Sequence, residues 1–464
     1  VAVAVGAGIF SVGAQAAAFH AGPAVIISFL IAGIVCGAAV MCYAEFASMI
    51  PVAGSAYTFT YTTVGEIMAW IIGWGLILEM LMAGSVISKY WGVYLNDFMR
   101  LMGWNANTNL TFGSFHIDIA PIIIVAFFTT LLVFGTKIGA RVDGAMTVLK
   151  IAIVFFVVIV GFFYVKASNF TPFIPPSQPA STVEGSSAVT GVMTQPLWQF
   201  ATGMTPSVYG VPGILSGAAL VFFAFLGFDV VATASEETIN PKKNVPLGIG
   251  VGLGLIIVLY TLVAIVTTGM VSYKDLAKQS DPSLAVAFKM VGADWAAKII
   301  SLGIVIGMAT VVMVLLLGLT RVVFAMSRDG LLPRGLSHTG KHGTPVRLQI
   351  IVGVVMALIA ACCNVGILSD MVNIGTLSAF TLVAISIPIM RKKRPDLERS
   401  FKIPGNPWVP ILIAIANLWL MVNLSVLTWI RFVVWLIVGF AIYFGYGYRH
   451  ARLGAGELEV AAQE

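Results

Sequence analysis

Long apolar stretches follow one another along almost the whole chain, separated by short polar segments. Each stretch has about 20 residues, the length that an α-helix needs to cross the hydrocarbon core of a bilayer. The stretches are continuous rather than alternating, which predicts helices and not the strands of a membrane barrel. Because only helices and closed barrels satisfy their backbone in lipid, the pattern predicts an all-α integral membrane protein.

About twelve spans are predicted from the stretches that are long enough to cross. Their approximate limits are 1–19, 22–50, 64–95, 117–135, 143–167, 212–237, 246–271, 295–326, 345–364, 367–390, 407–426 and 429–448. The first span begins inside an apolar stretch at Val1, so we expect its inner start to be missing. The segment 51–63 is too polar to span and is predicted to form an inner re-entrant or surface helix. The Pro-, Ser- and Thr-rich loop 168–211 is expected outside.

Composition and charge support this class of protein. Of the 464 residues, 59% are hydrophobic and only 10% are charged, whereas a soluble domain carries roughly 25% charged residues. The basic residues concentrate on one set of alternate loops, so the positive-inside rule predicts that both termini lie in the cytoplasm. We expect the protein in the cell membrane. The net charge of +6 is spread over several loops, which predicts no nucleic-acid partner.

No set of residues with catalytic or metal-binding spacing stands out. The cysteines lie in apolar stretches without a histidine at metal-ligand spacing, and we expect them to be buried small apolar residues. They are Cys36, Cys42, Cys362 and Cys363. The sequence therefore predicts a protein that is not an enzyme and that has neither a cofactor nor a metal site.

Glycines interrupt two of the predicted spans at corresponding places. The first span contains G-A-G-I-F at 6–10, and the sixth contains F-A-F-L-G-F-D at 223–229. The two spans lie five apart and cross in opposite senses, the pattern of an inverted repeat with one broken helix in each half. Glycine costs about 1 kcal/mol in a helix interior, which favours unwinding. Close helix packing is the alternative explanation for G-A-G.

An unwound segment inside a membrane needs hydrogen-bond partners. Its N–H and C=O groups have none in the helix, and each unsatisfied group costs several kcal/mol in lipid. A zwitterionic amino acid supplies both kinds of partner, since its carboxylate accepts from N–H groups at a half-helix N-terminus and its ammonium donates to carbonyls. The breaks therefore predict a site that reads the amino-acid backbone.

Three ionisable residues lie inside predicted spans, where such residues are functional candidates by default. Lys150 has few polar neighbours in its span, and because desolvation disfavours the ammonium form it can gain and lose a proton. The alternative is a lysine that snorkels from a helix end. Glu79 is a candidate for binding a basic side chain, for proton transfer or for holding helices together. Asp229 follows the second break, where it can bond to freed N–H groups or to substrate.

Six motifs in order resemble bacterial members of the cationic amino acid transporter family, within the amino acid–polyamine–organocation superfamily. They are G-A-G-I-F at 6–10, P-V-A-G-S-A-Y at 51–57, G-W-G-L-I-L-E at 73–79, F-F-A-F-L-G-F-D at 222–229 with E-E-T-I-N-P at 236–241, L-T-R-V-V-F-A-M-S-R-D-G-L-L-P at 319–333, and R-P-D-L-E-R-S-F-K-I-P at 394–404. The resemblance implies a LeuT-like core of five plus five helices in inverted repeats. The core would cover 1–390, with a first repeat at about 1–167 and a second at 212–390. Two further helices and a short cytoplasmic tail would occupy 391–464.

The resemblance also implies a binding site between the first and sixth helices. The amides of Ala7 and Gly8 would meet the substrate carboxylate, and Phe223 would act as an outer lid. The ammonium would meet the carbonyls of Ala4, Phe223, Ala224 and Leu226. Glu79, Asp229 and Met313 would line or border the side-chain end. In related proton-driven carriers a lysine in the fifth helix replaces a sodium ion. Lys150 matches that lysine, with Thr310 of the eighth helix as its partner.

The sequence thus predicts a proton-coupled symporter of L-amino acids that works by alternating access. The substrate class stays open between cationic and small neutral amino acids, because relatives of this kind take both. An amino-acid exchanger and a non-transporting amino-acid sensor on the same fold are the alternatives. A channel is disfavoured because no ring of charged residues lines a span. A small single-helix membrane partner also stays open.

Overall fold

The structure of the chain is a computed structural model that is almost entirely helical in the part it describes. It describes residues 4–49, 57, 60–61, 65–104, 108–112, 115–134, 139–182, 191–227, 241–279, 282–340, 344–393, 395, 399 and 401–451. Four short strands form two small antiparallel sheets in the loops. They pair β1 (Asn109–Phe112) with β2 (Phe115–Asp118), and β3 (Gln178–Pro179) with β4 (Ser207–Val208). The prediction of an all-α membrane fold is confirmed.

Each predicted span corresponds to one apolar helix. The helices are α1 (8–21), α2 (Val25–Met49), α3 (Glu66–Leu101), α4 (Ile119–Phe134), α5 (Gly139–Phe162), α6 (Gly210–Phe225), α7 (Pro241–Met270), α8 (Asp294–Arg328), α9 (Val346–Cys362), α10 (Val365–Lys393), α11 (Trp408–Val422) and α12 (Val426–His450). By length and composition, 7 stretches of the described chain can cross a membrane on their own, and one of them contains both α1 and α2. The shorter α4, α6, α9 and α11 complete the set.

Short helices connect these spans. They are Gly22–Ala24, Ala167–Phe170, Ala180–Thr182, Leu197–Thr202, Tyr273–Ala277, Leu284–Met290 and Arg334–Ser337. In the predicted inner segment 51–63 only Tyr57, Thr60 and Tyr61 belong to the described residues, and these three are helical.

Glycines with positive φ set two of the helix ends. Gly22 has φ of 60°, a conformation that glycine adopts without steric cost. It is followed by Pro23, which has no N–H to continue the helix, so α1 turns sharply into α2. The helix α3 runs on to Leu101, beyond the predicted limit of 95, until Gly103 with φ of 82° ends it.

The first four spanning helices each pack against the helix that lies five places later. The helix α3 packs along α8, α2 along α7, α4 against α9 and α1 against α6. A pseudo-two-fold axis between two inverted repeats brings equivalent helices together in this way. The pairing therefore agrees with a five-plus-five core, while the repeat limits stay predictions.

A buried ion network joins the inner ends of α2 and α10 to the segment before α11. Inner and outer refer throughout to the predicted orientation. Glu45 of α2 accepts hydrogen bonds of 2.9 and 2.6 Å from the guanidinium of Arg391 and one of 2.9 Å from the N–H of Ile403. Such bidentate charged bonds fix geometry strongly. Ile403 and Arg399, whose guanidinium lies 3.8 Å from Glu45, belong to the motif at 394–404, so this motif anchors the C-terminal helices to the core.

Two tryptophans join α12 to α3. The indole N–H of Trp74 donates to the carbonyl of Trp435 at 2.9 Å, and the indole N–H of Trp435 donates to the carbonyl of Trp74 at 3.3 Å. Their rings stack with centroids 4.5 Å apart, and Gly439 leaves room for the Trp74 ring. The C-terminal helices are thus held against the outside of the core without entering its centre.

Candidate functional site

The first helix begins at the predicted glycine break. Residues 4–6 form a turn, in which the N–H of Gly6 donates to the carbonyl of Ala4 at 2.8 Å. A π-helical segment then starts at Gly8, and such segments are frequent at functional sites. The amides of Ala7 and Gly8 stand at this N-terminus, where backbone N–H groups have no acceptor inside the helix.

The sixth helix ends at the second predicted break. Its last turn, Phe222–Phe225, is a tight 3-10 turn. The chain then leaves the helix, because Leu226 is extended with φ of −68° and ψ of 157°. Gly227 follows with φ of 96°, a value that side chains rarely tolerate. Asp229 was predicted to act next to this break and lies outside the described residues.

The two breaks touch each other at Gly8. A Cβ atom built on Gly8 would overlap the Cα atom of Ala224. Because glycine alone lets two backbones approach this closely, close packing explains Gly8, which is itself helical. The non-helical part of G-A-G is Gly6, in the turn at residues 4–6. The crossing brings the amide end of α1 next to the carbonyl end of α6.

A small cavity of about 20 Å³ lies beside this crossing. On one side it is lined by residues of the two breaks, namely Ala4, Gly6, Ala7, Gly8, Phe223 and Leu226. On the other side it is lined by side chains of α3 and α8, namely Ala83, Ile87, Val311 and Leu315. Among the described lining residues none is ionisable. The predicted residues of the two breaks are therefore brought together at one cavity, with Ala224 at the crossing beside it.

Tyr260 of α7 links the two breaks and was missed by the sequence analysis. Its hydroxyl lies within hydrogen-bond distance of the carbonyl of Ala4 and, at 2.9 Å, of the carbonyl of Ala224. A hydroxyl has one proton, so it donates to one of these carbonyls at a time. Its fully buried ring packs between Phe29 and Phe225. The available signal was a tyrosine inside an apolar span, because a buried phenol normally finds a polar partner.

Lys150 and Thr310 lie on facing helices of the core. Lys150 of α5 is 1% exposed, which argues against the snorkelling alternative. Its alkyl chain lies across Gly307 of α8, where an added Cβ would come within 2.9 Å of the lysine Cγ. Thr310 is one helical turn further along α8, and its hydroxyl donates to the carbonyl of Gly307 at 3.0 Å. The predicted pair is thus brought to one place on α8.

Glu79 and Met313 are not among the residues that line the cavity. Glu79 is buried on α3, one turn before Ala83, and its backbone faces Gly375 of α10. Met313 is also buried. It lies two residues after Val311 on α8, which is about 200° around the helix axis. Their predicted contacts with the substrate side chain stay predictions.

Further hydrogen bonds connect the outer half of α1 to its neighbours. The hydroxyl of Tyr94 on α3 donates to the carbonyl of Phe10 at 2.7 Å, and the hydroxyl of Tyr209 donates to the carbonyl of Ala18 at 2.7 Å. The imidazole of His20 lies 3.0 Å from the hydroxyl of Ser216 on α6. The outer halves of the two broken helices therefore form one bonded unit.

Comparison with known proteins agrees with this architecture. The sequence profile described as Amino acid permease matches residues 1–444. The branched-chain amino acid permease of Bacillus subtilis (strain 168) is 40% identical over 457 residues, which cover 97% of this chain and 91% of the relative. The methylthioribose transporter of the same organism is 39% identical over 455 residues, which cover 97% of this chain and 91% of the relative. The mitochondrial cationic amino acid transporter 3 of Arabidopsis thaliana is 35% identical, covering 85% of this chain and 61% of the relative.

These relatives are named as permeases and transporters, and the matches extend over nearly the whole chain. Together with twelve apolar helices and two helix breaks that meet at a cavity, they identify a multi-pass membrane protein that belongs to the amino acid permease family, within the amino acid–polyamine–organocation superfamily.

Proposed function

We propose that this protein is a secondary carrier that takes up neutral aliphatic L-amino acids of the branched-chain class, in symport with protons, across the cell membrane. The observation that carries the proposal is the cavity at the two helix breaks. One wall offers main-chain hydrogen-bonding groups, and the other offers aliphatic side chains. Both termini would lie in the cytoplasm, as the distribution of basic residues predicts.

The main-chain wall suits the two charged groups that all amino acids share. The amides of Ala7 and Gly8 at the start of α1 would bind the carboxylate, assisted by the positive end of the helix dipole. The carbonyls of Ala4, Phe223, Ala224 and Leu226 would bind the ammonium group. Phe223 of α6, one turn before Leu226, would act as the outer lid.

The aliphatic wall favours a neutral side chain over a basic one. Full burial of a valine, leucine or isoleucine side chain contributes roughly 1.5–3 kcal/mol. A buried ammonium or guanidinium without a paired charge would cost more than that gain. The named substrate class of the branched-chain amino acid permease agrees with this choice. The plant relatives are named for cationic amino acids, so a basic substrate recognised by Glu79 is the competing proposal.

Lys150 would couple transport to the proton gradient. A protonated Lys150 would hold α5 against α8 near Thr310 while the carrier is open to the outside. Loss of its proton to the cytoplasm would weaken this contact and favour opening to the inside. The tight contact between the lysine chain and Gly307 supports the proposal, because movement of α5 relative to α8 must displace this side chain.

The substrate class is tested by binding to the purified protein and by an enlarged side chain in the cavity. Valine, leucine and isoleucine should raise the unfolding temperature, because a ligand that binds only the folded state stabilises it. Lysine and arginine should not. Ala83→Leu should weaken leucine binding by roughly 10- to 100-fold. The binding of glycine and alanine, whose side chains are smaller, should be retained. Ala441→Leu, on the lipid-exposed face of α12, is the matched control. Stabilisation by arginine and lysine alone would instead support the Glu79 proposal.

The crossing of the two breaks is tested by Gly8→Ala. The added methyl group overlaps the backbone at Ala224 and must push the two segments apart, so leucine binding should fall by at least about tenfold. Gly254→Ala in α7 has open space around the added methyl group and should bind normally. Equilibrium binding of radiolabelled leucine in detergent measures both variants. Wild-type affinity in Gly8→Ala would mean that the breaks do not form the site.

The link made by Tyr260 is tested by Tyr260→Phe, which keeps the ring and removes the hydroxyl. A buried carbonyl left without its donor costs about 1–3 kcal/mol, so the substrate-free protein should unfold a few degrees lower. Leucine should then raise the unfolding temperature more than it does in the wild type, because its ammonium replaces the lost donor. Tyr448→Phe at the exposed end of α12 is the control. Unchanged unfolding without substrate would exclude this role of the hydroxyl.

Proton coupling is tested by Lys150→Met, which keeps most of the alkyl chain, alongside Lys150→Ala. In liposomes that are acidic outside, both variants should fail to accumulate leucine although they still bind it. Exchange of external for preloaded leucine should continue. Accumulation against a gradient with an unchanged pH dependence would contradict the role of Lys150. A wild-type protein that only exchanges would be an antiporter, and one that binds without moving substrate would be a sensor.

A further inference from the structure

A second cleft lies at the outer end of α3, away from the helix breaks. It has a volume of about 140 Å³ and lies where α3 and the start of α8 meet the short helix Leu284–Met290. Its lining combines three charged residues, Asp97, Arg100 and Lys289, with aliphatic ones such as Leu101 and Val286. The central cavity has a different character, since no described residue lining it carries a charge.

The charges of this cleft come from two elements that face each other. Asp97, Arg100 and Leu101 are spaced by three and four residues, which places them on one face of α3. Lys289 comes from the opposite side, on the helix Leu284–Met290, and both basic side chains are exposed to solvent. A guanidinium binds a carboxylate through two parallel hydrogen bonds, and an ammonium adds a point charge. A carboxylate such as that of Asp97 is a suitable hydrogen-bond acceptor for an ammonium group.

The cleft is also connected to the first broken helix. Tyr94 lies one turn before Asp97 on α3, and its hydroxyl donates to the carbonyl of Phe10 in α1. The same hydroxyl interacts with Ser283, whose side chain caps the helix Leu284–Met290 by accepting from the N–H of Val286 at 3.3 Å. A ligand held between α3 and this helix therefore lies one turn from the bond that fixes the outer half of α1.

We propose that this cleft is a second, outer binding site for the zwitterionic amino acid. Arg100 and Lys289 bind the carboxylate, Asp97 binds the ammonium, and the aliphatic residues contact the side chain. Because the cleft lies one turn of α3 from the bond between Tyr94 and Phe10, the site holds substrate beside the outer half of α1, from where it can pass to the central cavity. This inference rests on the proposed function, since it assigns the same substrate to a second site.

The test is the double variant Arg100→Gln/Lys289→Gln in the full-length protein. Lys166→Gln/Lys274→Gln removes the same charge from exposed outer positions away from the cleft and serves as the control. Equilibrium binding of radiolabelled leucine should reveal a second bound molecule in the wild type and in the control. The cleft variant should lose it, and its KM for uptake should rise roughly three- to tenfold with kcat unchanged.

Two further variants separate the outcomes. Gly8→Ala, which disturbs the central site, should retain the second molecule. Asp97→Asn should lose it, and retention by Asp97→Asn would mean that the cleft binds carboxylates or simple anions instead of zwitterions. If the wild type neither binds nor carries aliphatic amino acids, the proposed function is wrong. If the wild type carries them, and the cleft variant binds as much leucine and has the same KM as its control, only the proposal of the outer site is wrong.

Discussion

The main-chain N–H and C=O groups that two broken helices leave without helical partners are the constraint on which the rest of the structure depends. In lipid such groups must find partners, and here they meet around the contact between Gly8 and Ala224. The buried hydroxyl of Tyr260 serves one carbonyl of each break. In the proposed function, an amino acid in the adjacent cavity would satisfy the remaining groups, so the same requirement would account for both the stability of the site and its ligand.

The rest of the fold holds this pair of breaks in place. The helices α3 and α8 supply the aliphatic wall of the cavity, and α12 is fastened to α3 by the reciprocal bonds of Trp74 and Trp435. The ion network of Glu45 and Arg391 fixes the inner end of α2 to α10. The proposed alternating access would need such a frame, because the two breaks would have to move without loss of the fold.

Local sequence patterns predicted the spans and the breaks, because apolar length and glycine act within one segment. Most spans were placed to within a few residues. The sixth was predicted to run to 237, whereas α6 ends at Phe225 because the chain becomes extended at Leu226, and α3 was longer than predicted because nothing before Gly103 stops it. Tyr260 and the aliphatic wall could not be predicted in the same way. Tyr260 lies more than 250 residues from Ala4, and Ala83 and Val311 resemble any other lipid-facing residues until α3 and α8 are packed together.

The central claim is that the main chain binds both charged groups of the substrate. The most direct measurement compares leucine with two analogues, 3-methylbutylamine, which has no carboxylate, and 4-methylpentanoate, which has no ammonium, as competitors for radiolabelled leucine at the central site. Each lost charged group removes hydrogen bonds worth about 1.5–3 kcal/mol apiece, so both analogues should compete at least roughly 100-fold less well. Competition by either analogue within about tenfold of leucine would contradict the account, because recognition would then depend on the side chain alone.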